Sequence, residues 1–189
     1  MSTERRSETL RRILFEDSDH RLYAVFNGVS IPNLGSLLAQ HEAPNVCLLH
    51  SDCDPKLART APYLVELPPQ SPFTELLLTQ GVGSRWGILA QADDDFRSLH
   101  RHFRQLLTAR YPDGRLFRFR YYDPLVLQDC LPTCHVEELR ILFGPVTTYF
   151  AETDTGDALL RFTFTGDALG RRQLTLSRSQ TTSQIPPEM

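Results

Sequence analysis

Short apolar runs alternate with segments of helical periodicity along the first half of the chain. Leu22–Phe26 and Val46–His50 are continuous apolar runs, which are typical of strands that are covered on both faces of a sheet. Pro62–Leu67 and Trp86–Ala90 have the same character, and the first of them is closed by a pair of prolines. We therefore predict four buried strands in this half of the chain.

Helices are predicted between these strands. Residues 8–15 and 34–40 carry apolar residues at helical spacing, and Ser71 is expected to cap a third helix that has Pro72 at its first position. The strongest helix begins after the carboxylates of 93–95, which favour the positive end of a helix dipole. Its apolar stripe consists of Phe96, Leu99, Phe103, Leu106 and Leu107.

An arginine-rich strand is predicted at 115–122, after the turn Pro112-Asp113-Gly114. Alternation places aromatic side chains on one face, while the other face carries Leu116, Arg118, Arg120 and Tyr122. A buried guanidinium without a partner is costly. Two interpretations follow: internal acids such as Asp123 or Glu137 hold these arginines, or the arginines await a binding partner.

The C-terminal part is predicted to be rich in strands. A helix at 136–143 ends at Gly144-Pro145, a hairpin follows at 146–150 and 159–164, and a further strand is expected at 173–177. The predicted fold class is α/β, a mixed sheet with flanking helices and a strand-rich C-terminal section. The predicted domains are a body at 1–150, an extension at 151–177 and a flexible tail at 178–189.

Composition narrows the classes of function. The 189-residue chain is 41% hydrophobic with a net charge of -3, which does not favour a general nucleic-acid binder, although arginines between 97 and 120 form a local basic region. No apolar run of signal-peptide or membrane-spanning length follows the charged N-terminus, so we expect a cytoplasmic protein that does not bind membranes. Its four cysteines are then expected to be free thiols.

Motifs for common chemistries are missing from the sequence. It contains neither glycine-rich phosphate-loop pattern and no Gly-x-Ser-x-Gly nucleophile elbow. Cys130, Cys134 and His135 are neighbours, but their spacing is not that of a structural zinc site. We therefore predict that the protein is not an enzyme and has no cofactor, catalytic or metal site.

Several motifs in one order resemble a known family. They are Leu22–Gly28, Ala61–Leu67, Trp86–Leu89, the helix 96–107, Asp113-Gly114, Phe117–Pro124, Leu131-Pro132 and Phe143–Pro145. Together they resemble the type VI secretion effector-adaptor family, also called Tap or TEC chaperones and long catalogued as a domain of unknown function. The similarity covers about 22–150, and Leu125 stands where the family pattern usually has an arginine.

The resemblance implies a cytoplasmic adaptor or chaperone that binds a secreted effector and helps to load it onto the spike protein VgrG. Residue types that are enriched in binding hot spots occur in or near the motifs that carry this resemblance. The candidate partner-binding residues are Trp86, Arg101, Arg118, Arg120, Tyr122 and Asp123.

Two alternatives from other classes remain open at the level of sequence. The first is an α/β enzyme or small-ligand-binding protein that grips an anionic group with Arg118, Arg120 and Tyr122, since guanidinium matches carboxylate and phosphate geometry. The second is a nucleic-acid module that uses the basic helix, and it predicts binding that weakens steeply with salt.

Overall fold

The computed structural model describes residues 3–15, 20–49, 59–111 and 113–176. His50, the predicted end of the second strand, lies outside these residues. The predicted flexible tail at 178–189 lies outside them as well.

Six α-helices form within the described residues. Their bounds are α1 Thr3–Phe15, α2 Leu34–Gln40, α3 Pro72–Leu76, α4 Phe96–Leu106, α5 Pro124–Cys130 and α6 Val136–Phe143. A π-helical turn, Leu77–Gly81, continues α3, and a short 3-10 turn, Leu131–Thr133, continues α5. The hydroxyl oxygen of Ser71 accepts a hydrogen bond from the backbone nitrogen of Thr74 at 3.1 Å, which confirms the predicted cap of α3.

Nine strands lie in the same residues. Their bounds are β1 Arg21–Asn27, β2 Asn45–Cys47, β3 Pro62–Glu66, β4 Gly87–Ala92, β5 Thr108–Arg110, β6 Leu116–Arg118, β7 Val146–Glu152, β8 Ala158–Phe164 and β9 Leu169–Thr175. Seven of them form one sheet in the order β2-β3-β1-β4-β7-β8-β9, and β5 and β6 form a separate hairpin. The predicted α/β class with flanking helices is confirmed, and every pairing between described strands is antiparallel.

Apolar clusters cover both faces of the large sheet. Tyr23 and Val25 of β1 point into one cluster, while Ala24 and Phe26 point into the other. The first cluster is completed by α4 and α6, and the second by α1, α2 and α3. This arrangement confirms that the apolar runs at 22–26, 62–67 and 86–90 belong to strands covered on both sides, because alternate residues of one strand face opposite sides of a sheet. The run at Val46–His50 differs, since β2 ends at Cys47, lies at one end of the strand order and is exposed or half-buried.

The strand-rich C-terminal section continues the same sheet. β7 runs across residue 150, where the predicted body ends, and pairs with β4 on one side and β8 on the other. β9 lies at one end of the strand order, and its middle residues are exposed. The last predicted strand, expected at 173–177, is found at Leu169–Thr175.

The predicted strand at 115–122 is much shorter in the structure. Ladder pairing ends at Arg118 because β5 offers only three residues, and the backbone nitrogen of Asp123 then donates to the carbonyl oxygen of Arg120 at 2.9 Å to form a turn. The predicted alternation therefore stops before Tyr121. Neither β5 nor α5 was predicted from the sequence.

Candidate protein-binding surface

The six predicted partner-binding residues do not form one surface. Three of them are exposed, namely Arg101, Arg118 and Arg120, whereas Trp86 and Asp123 are half-buried and Tyr122 is buried. The buried and half-buried residues all have contacts within the fold.

Arg118 and Arg120 point into solvent beside the short β5–β6 hairpin. Within the described part of the chain, neither side chain forms an ion pair or a hydrogen bond. Solvation by water removes the cost that a buried guanidinium would carry. Of the two sequence-based interpretations, the structure agrees with arginines that are not held by internal acids.

Tyr122 does not share an exposed face with these arginines. Its side chain is only 6% exposed, and its ring contacts that of Tyr121 edge to face at a centroid distance of 5.7 Å. Burial raises the pKa of Tyr122, and the nearby charges of Arg120 and Arg118 oppose that shift. The prediction that Tyr122 lies beside Arg118 and Arg120 on one strand face is wrong, because the strand ends before it.

Asp123 and Trp86 have structural contacts. A carboxylate oxygen of Asp123 accepts a hydrogen bond from the backbone nitrogen of Leu125 at 3.0 Å and so caps α5. The indole ring of Trp86 packs edge to face on Phe26, with centroids 6.2 Å apart. Its carbonyl oxygen accepts a hydrogen bond from the backbone nitrogen of Asn27 at 2.8 Å.

Next to the exposed arginines lies an apolar cavity of about 570 Å³, which we call the hairpin groove. It is bounded by α4, the β5–β6 hairpin, the end of α5 with the turn after it, and α6. The groove is lined by His102, Gln105, Leu106, Thr108, Ala109, Arg110, Phe117, Phe119, Cys130, Cys134, Glu138, Ile141 and Leu142. Arg118, Arg120 and Tyr122 are not in its lining, so this cavity does not serve the predicted anion grip.

A row of aromatic rings forms the hairpin wall of the groove. Starting at the hairpin tip, Tyr111 contacts Phe117 at a centroid distance of 4.4 Å, and Phe117 contacts Phe119 at 6.5 Å. Phe119 then contacts Tyr121 at 6.0 Å, and Tyr121 stacks on Phe103 of α4. These ring contacts run from the exposed hairpin to the centre of one apolar core. They therefore hold the hairpin wall of the groove in place.

One strongly exposed apolar side chain lines this groove. Ile141, on the outer side of α6, is 67% exposed and lines the groove. Leu116 and Tyr111 of the hairpin are also exposed, at 62% and 46%, but they lie outside the groove lining. An apolar cavity with an exposed aliphatic side chain in its lining is a candidate interaction site.

Two cysteines form part of the groove lining on the side of α5. The sulfur atoms of Cys130 and Cys134 lie 3.6 Å apart, and the thiol of Cys134 also donates to the carbonyl oxygen of Cys130 at 3.3 Å. Burial, helped by the contact with Cys130, raises the pKa of Cys134 to about 12. Cys130 and Cys134 are free thiols, as predicted.

His102 lines the groove and links α4 to the end of α6. Its Nε2 lies 3.2 Å from the carbonyl oxygen of Leu142, and burial lowers the pKa of the ring. Gly144 has a positive φ of 48°, and a Cβ there would lie 2.6 Å from Cε1 of His102. Glycine therefore allows both the helix end and the close approach of the ring.

The sequence interpretation missed the groove, although one signal was present. The apolar stripe of α6 contains Leu139, Leu142 and Phe143, all of them buried. Ile141 lies outside that stripe, and an aliphatic side chain on the solvent side of a helix is a hint of a contact surface.

Among the described residues, no group of three or more potential metal ligands is close enough to hold an ion. None of the helices in the described ranges combines the length and apolar character needed to cross a membrane.

Comparison with known proteins gives one match. Residues 22–140 match a family described as a domain of unknown function, DUF4123. The chain belongs to the DUF4123 family. No curated protein and no solved structure matches it.

The DUF4123 match covers most of the hairpin groove. It includes all of α4, the β5–β6 hairpin and α5, and it ends within α6 at residue 140, directly before Ile141. The three C-terminal strands of the sheet, β7 to β9, lie outside the matched residues. The candidate binding surface therefore belongs largely to the DUF4123 segment itself.

Proposed function

We propose that this DUF4123 protein is a non-enzymatic adaptor that acts in the cytoplasm, where it binds a type VI secretion effector and helps to load it onto the VgrG spike. The ordered motifs between residues 22 and 150, which resemble those of effector adaptors, support this proposal. Membership of the DUF4123 family is compatible with it, since the family description leaves function open.

The observation that carries the proposal is the hairpin groove. Its aromatic wall of Phe117 and Phe119 and its exposed Ile141 have the character of a protein-binding hot spot, an apolar centre with a polar rim. An apolar surface of this kind is stabilised when a partner protein covers it, because contact with the partner removes it from water.

The elements around the groove are anchored in the core. Phe103 of α4 and Leu139 of α6 are buried in the same apolar cluster, and Tyr121 links the hairpin to α4. A surface held in place before binding loses little conformational entropy when a partner arrives. This arrangement suits a carrier that recognises a folded or partly folded cargo.

Co-purification tests the proposal. The tagged chain would be co-expressed with the effector and the VgrG protein encoded beside its gene, purified through the tag and analysed by size-exclusion chromatography and mass spectrometry. We expect both proteins to elute with the chain. If a folded chain, verified by circular dichroism, retains neither protein, the proposed function is wrong.

A further inference from the structure

Cys130 and Cys134 form a close pair of thiols at the end of α5. Their sulfur atoms lie 3.6 Å apart, and both side chains line the hairpin groove. A disulfide bond requires the two sulfur atoms to approach to about 2.05 Å. The remaining gap of about 1.5 Å is within reach of rotation about the Cα–Cβ bonds of the two side chains.

The backbone between the two cysteines is fixed by the turn Leu131–Thr133, which continues α5. The side chain of Leu131 is fully buried. The hydroxyl of Thr133 donates a hydrogen bond to the carbonyl oxygen of Cys130 at 2.8 Å, and the backbone nitrogen of Cys134 donates one to the carbonyl oxygen of Leu131 at 3.3 Å. The thiols are therefore held together before any reaction, so little conformational entropy is lost when they are joined.

The hairpin groove gives a dissolved reagent access to this pair. Both cysteines are half-buried, because they pack against the first apolar cluster on one side and line the cavity of about 570 Å³ on the other. Structural cysteines that are fully buried are inert, whereas reactive ones are partly exposed. The pair combines a fixed apolar support with a side that a small molecule can reach.

We infer that Cys130 and Cys134 are a redox-active pair, which a small-molecule disulfide such as oxidised glutathione converts to an intramolecular disulfide. This inference goes beyond the proposed function and does not depend on it. The reaction is reversible, because the same thiol–disulfide exchange runs backwards with reduced glutathione.

Two exchange steps carry out the oxidation. In the first, the thiolate of Cys130 attacks one sulfur of oxidised glutathione, so that a mixed disulfide forms on Cys130 and one glutathione thiolate leaves. In the second, Cys134 loses its proton and its sulfur attacks the sulfur of Cys130, which displaces the other glutathione. The two cysteines lose two electrons and two protons, and oxidised glutathione takes them up to become two molecules of reduced glutathione.

The order of the two steps follows from the surroundings of Cys134. Burial, followed by the hydrogen bond and the charge of Cys130 and the charge of Glu138, raises the pKa of Cys134 to about 12. At neutral pH Cys134 therefore holds its proton, which assigns the first attack to Cys130. The contribution from the charge of Cys130 ends when its sulfur enters the neutral mixed disulfide, and Cys134 then lies beside the sulfur that it attacks.

Oxidation changes the lining of the hairpin groove. In the reduced chain, the thiol of Cys134 donates to the carbonyl oxygen of Cys130 at 3.3 Å, and a disulfide removes this donor. Cys134 directly precedes His135, the N-cap residue of α6. The disulfide would therefore tie the end of α5 to the start of α6, on the side where both border the groove.

Peptide mass spectrometry tests the inference on the unchanged chain. Cleavage by trypsin after Arg120 and Arg140 releases residues 121–140, which contain Cys130 and Cys134 and neither of the other two cysteines. The reduced, folded chain would be incubated with oxidised glutathione at neutral pH, trapped with N-ethylmaleimide in acidic urea and digested. We expect this peptide to be lighter by two hydrogen atoms and to carry no maleimide, whereas treatment with dithiothreitol before trapping should give two maleimides.

A redox titration shows whether the fold favours the disulfide. The ratio of disulfide to dithiol in peptide 121–140 would be measured in mixtures of oxidised and reduced glutathione, for the folded chain and for the chain in urea. We expect the equilibrium constant for oxidation to be at least about tenfold larger in the folded chain, because the turn raises the effective concentration of one thiol at the other. An equal or smaller constant in the folded chain, or a folded chain that keeps both thiols, would overturn the inference.

Single variants test the partners and the order of the steps, with melting temperatures to verify folding. Cys134→Ser should accumulate one glutathione on Cys130, and Cys130→Ser should take up glutathione on Cys134 at least about tenfold more slowly, since burial still raises the pKa of Cys134. Equal rates in these two variants would overturn the assigned order. Cys47→Ser is the control and should form the disulfide in peptide 121–140 as the unchanged chain does, whereas loss of that disulfide would overturn the pairing.

Discussion

The hydroxyl of Tyr121 donates a hydrogen bond to the carbonyl oxygen of Phe103 at 2.7 Å, and the two rings stack with their centroids 5.9 Å apart. Both side chains are buried, with 1% and 0% exposure. The pair joins the middle of α4 to the chain that leaves the β5–β6 hairpin. It therefore fixes the position of the groove wall relative to α4.

Tyr121→Phe is expected to lower the free energy of unfolding by about 1 kcal/mol, because the ring packing stays while one buried hydrogen bond is lost. Urea denaturation monitored by circular dichroism measures the change. Tyr111→Phe is the matched control, since Tyr111 is 46% exposed at the hairpin tip. If both variants have the same free energy of unfolding, the Tyr121 hydrogen bond does not contribute to stability.

Phe103→Ala should destabilise the fold by about 3 to 5 kcal/mol, since it leaves a cavity in the cluster between α4 and the sheet. Phe103 is fully buried and contacts both Tyr121 and Tyr149. Phe96→Ala, at the half-buried start of the same helix, should cost clearly less. An unchanged melting temperature for Phe103→Ala would contradict its place in the core.

The free energy of unfolding should fall as the pH drops below 6.5, and His102 should account for part of that fall. Burial holds the pKa of His102 below its ordinary value of 6.5 in the folded protein, so the unfolded chain takes up the proton first. The contribution is fully present above pH 6.5 and is lost as the pH falls towards the folded pKa.

His102→Gln tests this contribution, because glutamine does not titrate in this range. The decline in the free energy of unfolding between pH 7 and pH 5 should be smaller in His102→Gln than in the unchanged chain, measured by urea denaturation at each pH. His41→Gln, on the other side of the sheet beside Phe73, serves as the control. A decline of the same size in His102→Gln and the unchanged chain would contradict the assignment.

Cys134 should react slowly with alkylating reagents in the folded protein. Its pKa is raised to about 12, so at neutral pH the thiol holds its proton, and the thiolate is the reactive form. Iodoacetamide labelling at pH 7.5, followed by peptide mass spectrometry, should show much faster modification of Cys134 after denaturation in urea. Equal rates in folded and unfolded protein would show that the thiol is neither buried nor shifted.

Local patterns in the sequence predicted most of the regular elements. α2 and α6 have the predicted bounds because helical periodicity and, for α6, the following Gly144 are short-range signals. The buried stripe of α4 also follows from spacing alone, with Leu99, Phe103 and Leu106 buried as expected. Such signals depend on neighbours within a turn or two, which a sequence displays directly.

The arginine segment shows what local sequence patterns do not determine. Alternation from 115 to 122 predicted one long strand, but strand length depends on a partner, and β5 supplies only three residues. Asp123 was considered as a partner of Arg118 and Arg120, yet its carboxylate caps α5, a helix that was not predicted. Neither result could be inferred from periodicity, since both depend on which segments meet in space.

The sequence by itself determined that this is an α/β protein with strands buried on both faces, a strongly amphipathic α4 and the motifs of its family. Only the tertiary structure decided that Tyr122 is buried, that Arg118 and Arg120 are exposed, and that Ile141 lines the hairpin groove. The reason is physical: periodicity records which side of an element is apolar, whereas a groove forms between elements that are distant in the chain.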